Sequence, residues 1–257
     1  MIVVIAGAVV SISEAVGDGL QPAVSGTAGV HPAADPVVCP DECLSFTAAG
    51  AVGPSKADLE TFGLTVREAL DGDGLGFSSE DAFVEALETW TNESVECVFA
   101  NTYVPVFVSY DAPLAERAQL EILGAWSDRL GGSTLVIGSG FFGDSASAEA
   151  HIARTAEAIV GCTGYQVADE RQNLIDVTVI PAPELSGLDP SVSSVGWVEQ
   201  SVNAQFYAYE LQRAEVVVRV SVWTNGPLTQ EESEDLVTVV SKRLEAQAVL
   251  RNPLLAE

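Results

Sequence analysis

The sequence predicts an α+β domain built on an antiparallel sheet. Two observations predict it. Helical and strand periodicities succeed one another in the order α, α, β, a mixed stretch, then α, β, β, β, β, α, without the regular βα alternation of a parallel sheet. The last two strand runs, Asn203 to Leu211 and Ala214 to Trp223, also lie close enough to form a hairpin with its turn at Gln212-Arg213.

Taken from the start, residues Ile2 to Val10 form an uninterrupted apolar run. It is too short to span a bilayer and suits a signal or anchor remnant over residues 1–12; a start placed too late would account for the missing basic flank. A buried N-terminal strand is the second reading. Residues 13–48 are rich in Pro, Ala and Gly and read as a flexible tether, which leaves residues 49–257 as one domain. Cys39 comes after Pro36-Val37-Val38, unlike the sequence that precedes a lipidated cysteine.

Asp58 to Leu70 spaces Leu59, Phe62, Val66, Ala69 and Leu70 as an amphipathic helix, with Gly63 weakening it. Ser79 to Trp90 reads as a second helix, with Phe83, Leu87 and Trp90 on its apolar face. Val98 to Tyr110 alternates and reads as a strand, with Pro105 favouring an edge. Asp111 to Arg129 fits either a helix or half of a hairpin leading into Ser133 to Gly138. Ala146 to Val160 reads as a helix stopped by Gly161. Tyr165 to Val167 and Leu174 to Ile180 read as strands, and Pro181 to Ser194 as a loop. Thr229-Gln230-Glu231-Glu232 is a capping box that opens a final helix running to about Ala248.

Composition limits the function. The 257 residues contain 37 acidic and 11 basic side chains, a net charge of −26. A nucleic-acid backbone or an anionic lipid surface needs a basic face, so both are excluded as partners. The only histidines are His31, in the tether, and His151, on a helix, which leaves few groups for acid–base chemistry. No nucleophile-elbow, phosphate-loop or zinc-protease motif is present.

Four cysteines, Cys39, Cys43, Cys97 and Cys162, suit two disulfides in an oxidising compartment. Four can pair in three ways. A local loop between Cys39 and Cys43 would leave Cys97 to close a long loop with Cys162, stabilising by roughly 4 kcal/mol. The zinc reading lacks C-x2-C pairs and a nearby histidine.

Two further motifs bear on function. Asp71 to Ala82 resembles a degenerate EF-hand loop, with Asp71, Asp73, Gly76 and Ser79 in place and Leu75 and Ala82 where oxygen ligands belong. Calcium through Asp71 and Asp73 is therefore an alternative. Gly138-Ser139-Gly140-Phe141-Phe142-Gly143 matches G-x-G-x-x-G between a strand and a helix, which makes a nucleotide-dependent enzyme the other alternative. The aromatics Trp197, Tyr207, Tyr209 and Trp223 could line an apolar groove, although Phe206 faces opposite to Tyr207 and Tyr209.

One succession of residues has a likeness. It comprises an Ala/Glu-rich helix ending in Gly161-Cys162, a strand, Val195-Gly196-Trp197, a hairpin with Arg213 to Val220, and a final helix. This resembles the extracellular sensor domain of actinobacterial serine/threonine kinase H (the PknH-like sensor domain), also found in anchored lipoproteins. The resemblance runs from Cys97 to the end. It implies a twisted antiparallel sheet with helices packed mainly on one face, a Cys97–Cys162 disulfide, and a groove for an unidentified ligand. Where that family ends its second disulfide in the last strand, this chain has Trp223. The expected function is an exported or membrane-tethered, non-enzymatic sensor or ligand-binding domain of the cell envelope. No cofactor is expected, and the ligand would be neutral, apolar or cationic.

Overall fold

A computed structural model describes residues 44, 52–72, 74–89, 95–101, 105–110, 114–126, 133–168, 174–202, 204–224 and 230–251. The expected anchor, most of the expected tether, Cys39, Cys43 and Asp73 lie outside the described residues. The elements in chain order are α1 (Lys56–Thr61), β1 (Leu64–Gly72), β2 (Leu75–Phe77), α2 (Glu80–Thr89), α3 (Val95–Phe99) and β3 (Val106–Val108). Next come β4 (Glu116–Trp126), β5 (Ser133–Phe141), α4 (Ser145–Gly161), β6 (Gly164–Ala168), β7 (Leu174–Pro181), β8 (Ser193–Gln200), β9 (Gln205–Arg213), β10 (Val216–Thr224) and α5 (Gln230–Arg251).

Among the described residues the fold is α+β. Eight strands form one sheet in the order β1-β4-β5-β10-β9-β8-β7-β6, with every neighbouring pair antiparallel. Strand parity assigns the two faces. Val216, Val218, Val220 and Val222 of β10 pack with Tyr209, Leu211, Ile137 and Leu120 against Leu236, Val237, Val240 and Leu244 of α5. The alternate residues face α4, where Ile159 meets Trp197, Ala208 and Val179, and Ile152 meets Val217. The β2–β3 pair, α2 and α3 form a further layer over α4, where Phe83, Phe99, Val106 and Ala158 are buried together. The sheet thus carries helices on both faces.

Several elements differ from the sequence reading. The expected helix over Asp58 to Leu70 ends after one capped turn. Ser55 and Asp58 form a reciprocal capping box, and Gly63 leaves the helix at φ 75°. The chain then enters strand β1, whose bulge between Val66 and Glu68 spaces the core-facing Leu64, Val66 and Ala69 two and three apart. That spacing imitates a helix. The expected strand over Val98 to Tyr110 is split into helix α3 and the three-residue β3. Asp111 to Arg129 resolves in favour of the hairpin arm, β4. The expected loop over Pro181 to Ser194 gives way at Ser193 to strand β8, where Gly196 leaves room for the Tyr209 ring. The hairpin turn lies at Ala214-Glu215, two residues beyond the expected Gln212-Arg213. Ala214 adopts φ 49° there, and its carbonyl accepts from Gln212 Nε2.

Gly138 and Gly140 fix how closely β3 approaches β5. A Cβ on Gly138 would stand 2.4 Å from Pro105 Cβ, and one on Gly140 2.7 Å from the Phe107 ring. Gly138→Ala must push Pro105 off the strand, so it is expected to cost about 1–3 kcal/mol. A thermal melt showing an unchanged midpoint would refute that packing.

Candidate functional site

The most unusual chemistry lies between α4 and the sheet. In the hairpin register Arg219 stands opposite Glu210 on the α4 face, and both are fully buried. Arg219 Nε donates to Glu210 Oε1 at 2.8 Å, and Nη2 lies 2.6 Å from the same oxygen. The remaining guanidinium donors reach backbone: Nη2 to Phe99 O and Nη1 to Asn101 O, each at 2.9 Å. The guanidinium also lies 4.9 Å from the Trp197 ring centre, and the Trp197 indole donates to Ala100 O.

His151 completes the cluster from α4. Its Nε2 is 3.3 Å from both Glu210 oxygens, and its ring is surrounded by Phe99, Phe107 and Phe142 at 5.3–6.1 Å. Ser147, His151 and Thr155 recur every fourth residue along the buried face of α4. Ser147 Oγ, His151 Nδ1 and Thr155 Oγ1 have no hydrogen-bond partner among the described residues. Burial pushes the Glu210 carboxyl upward. The Arg219 guanidinium, and then His151, outweigh that and hold it down at about 2. All three charged or polar groups are sealed from solvent, so this arrangement orders the interior and presents no open reaction centre.

The disulfide lies beside this cluster. Cys97 of α3 is bonded to Cys162, which caps α4, and both are almost fully buried.

Of the four expected groove aromatics, the three with described side chains do not share one surface. Trp197 lies on the α4 face and is fully buried, and the side chain of Trp223 lies outside what the structure describes. Tyr209 is buried on the α5 face, with Tyr207 half-buried beside it. The strand alternation that separates Phe206 from Tyr207 also separates Trp197 from Tyr207 and Tyr209.

Among the described residues, part of the sheet on the α5 face is open. Helix α5 packs on β9 and β10, while Thr178 and Ile180 of β7 are exposed farther along the sheet. Ile180, Val198 and Tyr207 form one cross-strand row, with Ile180 38% exposed and Leu174 of the same strand 65% exposed. The Tyr207 hydroxyl donates to Gln205 Oε1 at 3.3 Å. Burial and the nearby Glu232 carboxylate of α5 raise its pKa.

The two alternative motifs take other roles. Asp71 and Gly72 end strand β1, with Asp71 opposite Leu120, so a strand replaces the helix that would enter a calcium loop. Gly138 and Gly140 are filled by Pro105 and Phe107, the space a pyrophosphate would need. The N-terminus of α4 is capped by Asp144, which accepts from Ser147 N at 2.7 Å.

No family model and no curated protein matches the sequence. Two solved structures are similar in outline. The extracellular domain of PknH from Mycobacterium tuberculosis is 12% identical, with 76% of this chain and 94% of that one covered, at a TM-score of 0.46. A putative uncharacterised protein from Mycobacterium smegmatis is 10% identical, with 77% and 97% covered, at 0.34. The likeness is weak and confined to the level of the fold. Among the described residues no helix is long and apolar enough to cross a membrane.

The charge cluster makes two testable statements. Arg219→Met strands Glu210 in the interior and is expected to cost about 3–5 kcal/mol, whereas the double variant Glu210→Gln/Arg219→Met recovers much of that loss. Denaturant titration of both distinguishes a linked pair from two independent residues. Glu210 also sets a pH dependence. Because its folded pKa lies below the ordinary 4.5, its contribution is present above that pH and fades as pH falls towards 2. Stability measured from pH 6 to 2 should show this loss in the parent chain and a smaller one in the double variant.

Proposed function

We propose that this chain is an exported, non-enzymatic domain of the cell envelope, tethered through its N-terminal segment. It binds a small neutral or cationic molecule on the open part of the α5-side sheet face. The observation that carries the compartment is the buried Cys97–Cys162 bond, since such bonds persist outside the reducing cytosol. The net charge of −26 keeps such a domain hydrated and repels anionic ligands.

The recognition surface supports the same reading. Thr178, Ile180 and Tyr207 offer apolar area and one aromatic ring, and Glu232 places negative charge beside that ring. An apolar body carrying a cation would use both. Trp197, although aromatic, is sealed and contributes to the core instead.

Benzyltrimethylammonium is a suitable probe. Titrated into isotope-labelled protein, it should shift resonances of Ile180, Thr178 and Tyr207 and leave Trp197 still. Tyr207→Ala should weaken binding about fivefold, the worth of one exposed cation–aromatic contact. Shifts elsewhere, or none at tens of millimolar probe, would overturn this reading of the surface.

A further inference from the structure

The disulfide and the buried ion pair meet at one short element. Helix α3 has five residues, too few to be stable alone. It carries Cys97, and its end and the two residues after it provide the carbonyls of Phe99, Ala100 and Asn101 that satisfy Arg219 and the Trp197 indole. Those bonds span 97 to 120 residues of sequence, so the placement of α3 supplies the guanidinium with its backbone partners Phe99 O and Asn101 O. Its covalent attachment is the bond from Cys97 to Cys162 at the end of α4.

We propose that the Cys97–Cys162 disulfide is a thiol-operated latch on α3. A dithiol reductant supplies the electrons. Its thiolate attacks one of the two sulfurs, the S–S bond breaks, and the other cysteine leaves as a thiolate. The second thiol of the reductant then displaces the mixed disulfide. Both cysteines end as thiols, taking up the two protons the dithiol gives up, and the reductant ends as its own disulfide. Since Cys97 and Cys162 are 3% and 2% exposed, attack occurs when α3 lifts transiently. With the bond gone α3 no longer returns to a fixed place, and the Arg219 donors and the Trp197 indole exchange backbone carbonyls for water.

The opening is local. The cluster on the α5 face shares no residue with the clusters that hold Cys97, Phe99 and Trp197. Helix α5 and its side of the sheet therefore stay packed while residues 95–101 come away. The latch does not use the Tyr207 surface, so it stands or falls separately from the ligand proposed for that surface.

Hydrogen exchange tests it on the full chain carrying Cys39→Ser and Cys43→Ser, so that only one disulfide responds. Dithiothreitol should speed exchange over residues 95–101 about tenfold or more, with residues 236–244 changed less than twofold, and reoxidation should reverse it. Adding Cys97→Ser and Cys162→Ser should give the open pattern without reductant. Unchanged exchange over 95–101 in reduced protein would overturn the latch. So would acceleration that spreads through α5, or failure of the serine variant to fold, since either would make the bond a general staple.

Discussion

An arginine and a glutamate buried side by side in the central hairpin constrain the rest of the molecule. Removing both charges from water is costly, and the cost is offset only when every donor and oxygen finds a partner. The hairpin register sets Glu210 opposite Arg219, so a one-residue slip would turn one of them to the other face. Helix α4 must bring His151 to the carboxylate, and α3 must bring Phe99 O and Asn101 O to the guanidinium. The layer above α4 is thereby tied to strands more than a hundred residues away. Among the described residues the α5 side carries no comparable fully buried ion pair, and its strand residues nearest α5 are mostly valine, leucine and isoleucine.

Much of the fold was legible in the sequence, because long periodic segments dominate it. Helices α2, α4 and α5, strands β6 and β7, and the final hairpin are set by periodicity and capping. The failures have physical causes. Strand β1 carries a bulge that makes a period of two resemble a helical one. Helix α3 is too short for any period to register, and its residues Val98 and Phe99 look like strand residues because they are buried by tertiary contact. Strand β8, with Gly196 and two serines, has weak strand propensity and is held by its neighbours on both sides.

The charge cluster was missed for a traceable reason. Placing the turn at Gln212-Arg213 sets Phe206, not Glu210, across from Arg219. The actual turn at Ala214-Glu215 moves the partner by four positions and produces the ion pair. A lone arginine inside Val216 to Trp223 was the available signal, since a cation in so apolar a run needs an acid facing it. The expected groove aromatics Trp197, Tyr207 and Tyr209 divide between the faces on the same ground. Aromatic side chains are conspicuous in a sequence, but only strand parity and register decide which face each one reaches.

The strand order has a consequence for how the domain is completed. Strands β1, β4 and β5 form one wing, β6, β7 and β8 the other, and the hairpin of β9 and β10 is the seam between them. As the chain is synthesised, neither wing has a common border with the other until about residue 224 has emerged. Antiparallel neighbours within each wing can pair early, and α4 can settle on β7 and β8, yet the buried charges and the α5 face wait for the last two strands. The two halves thus close on each other only once β9 and β10 are in place between them.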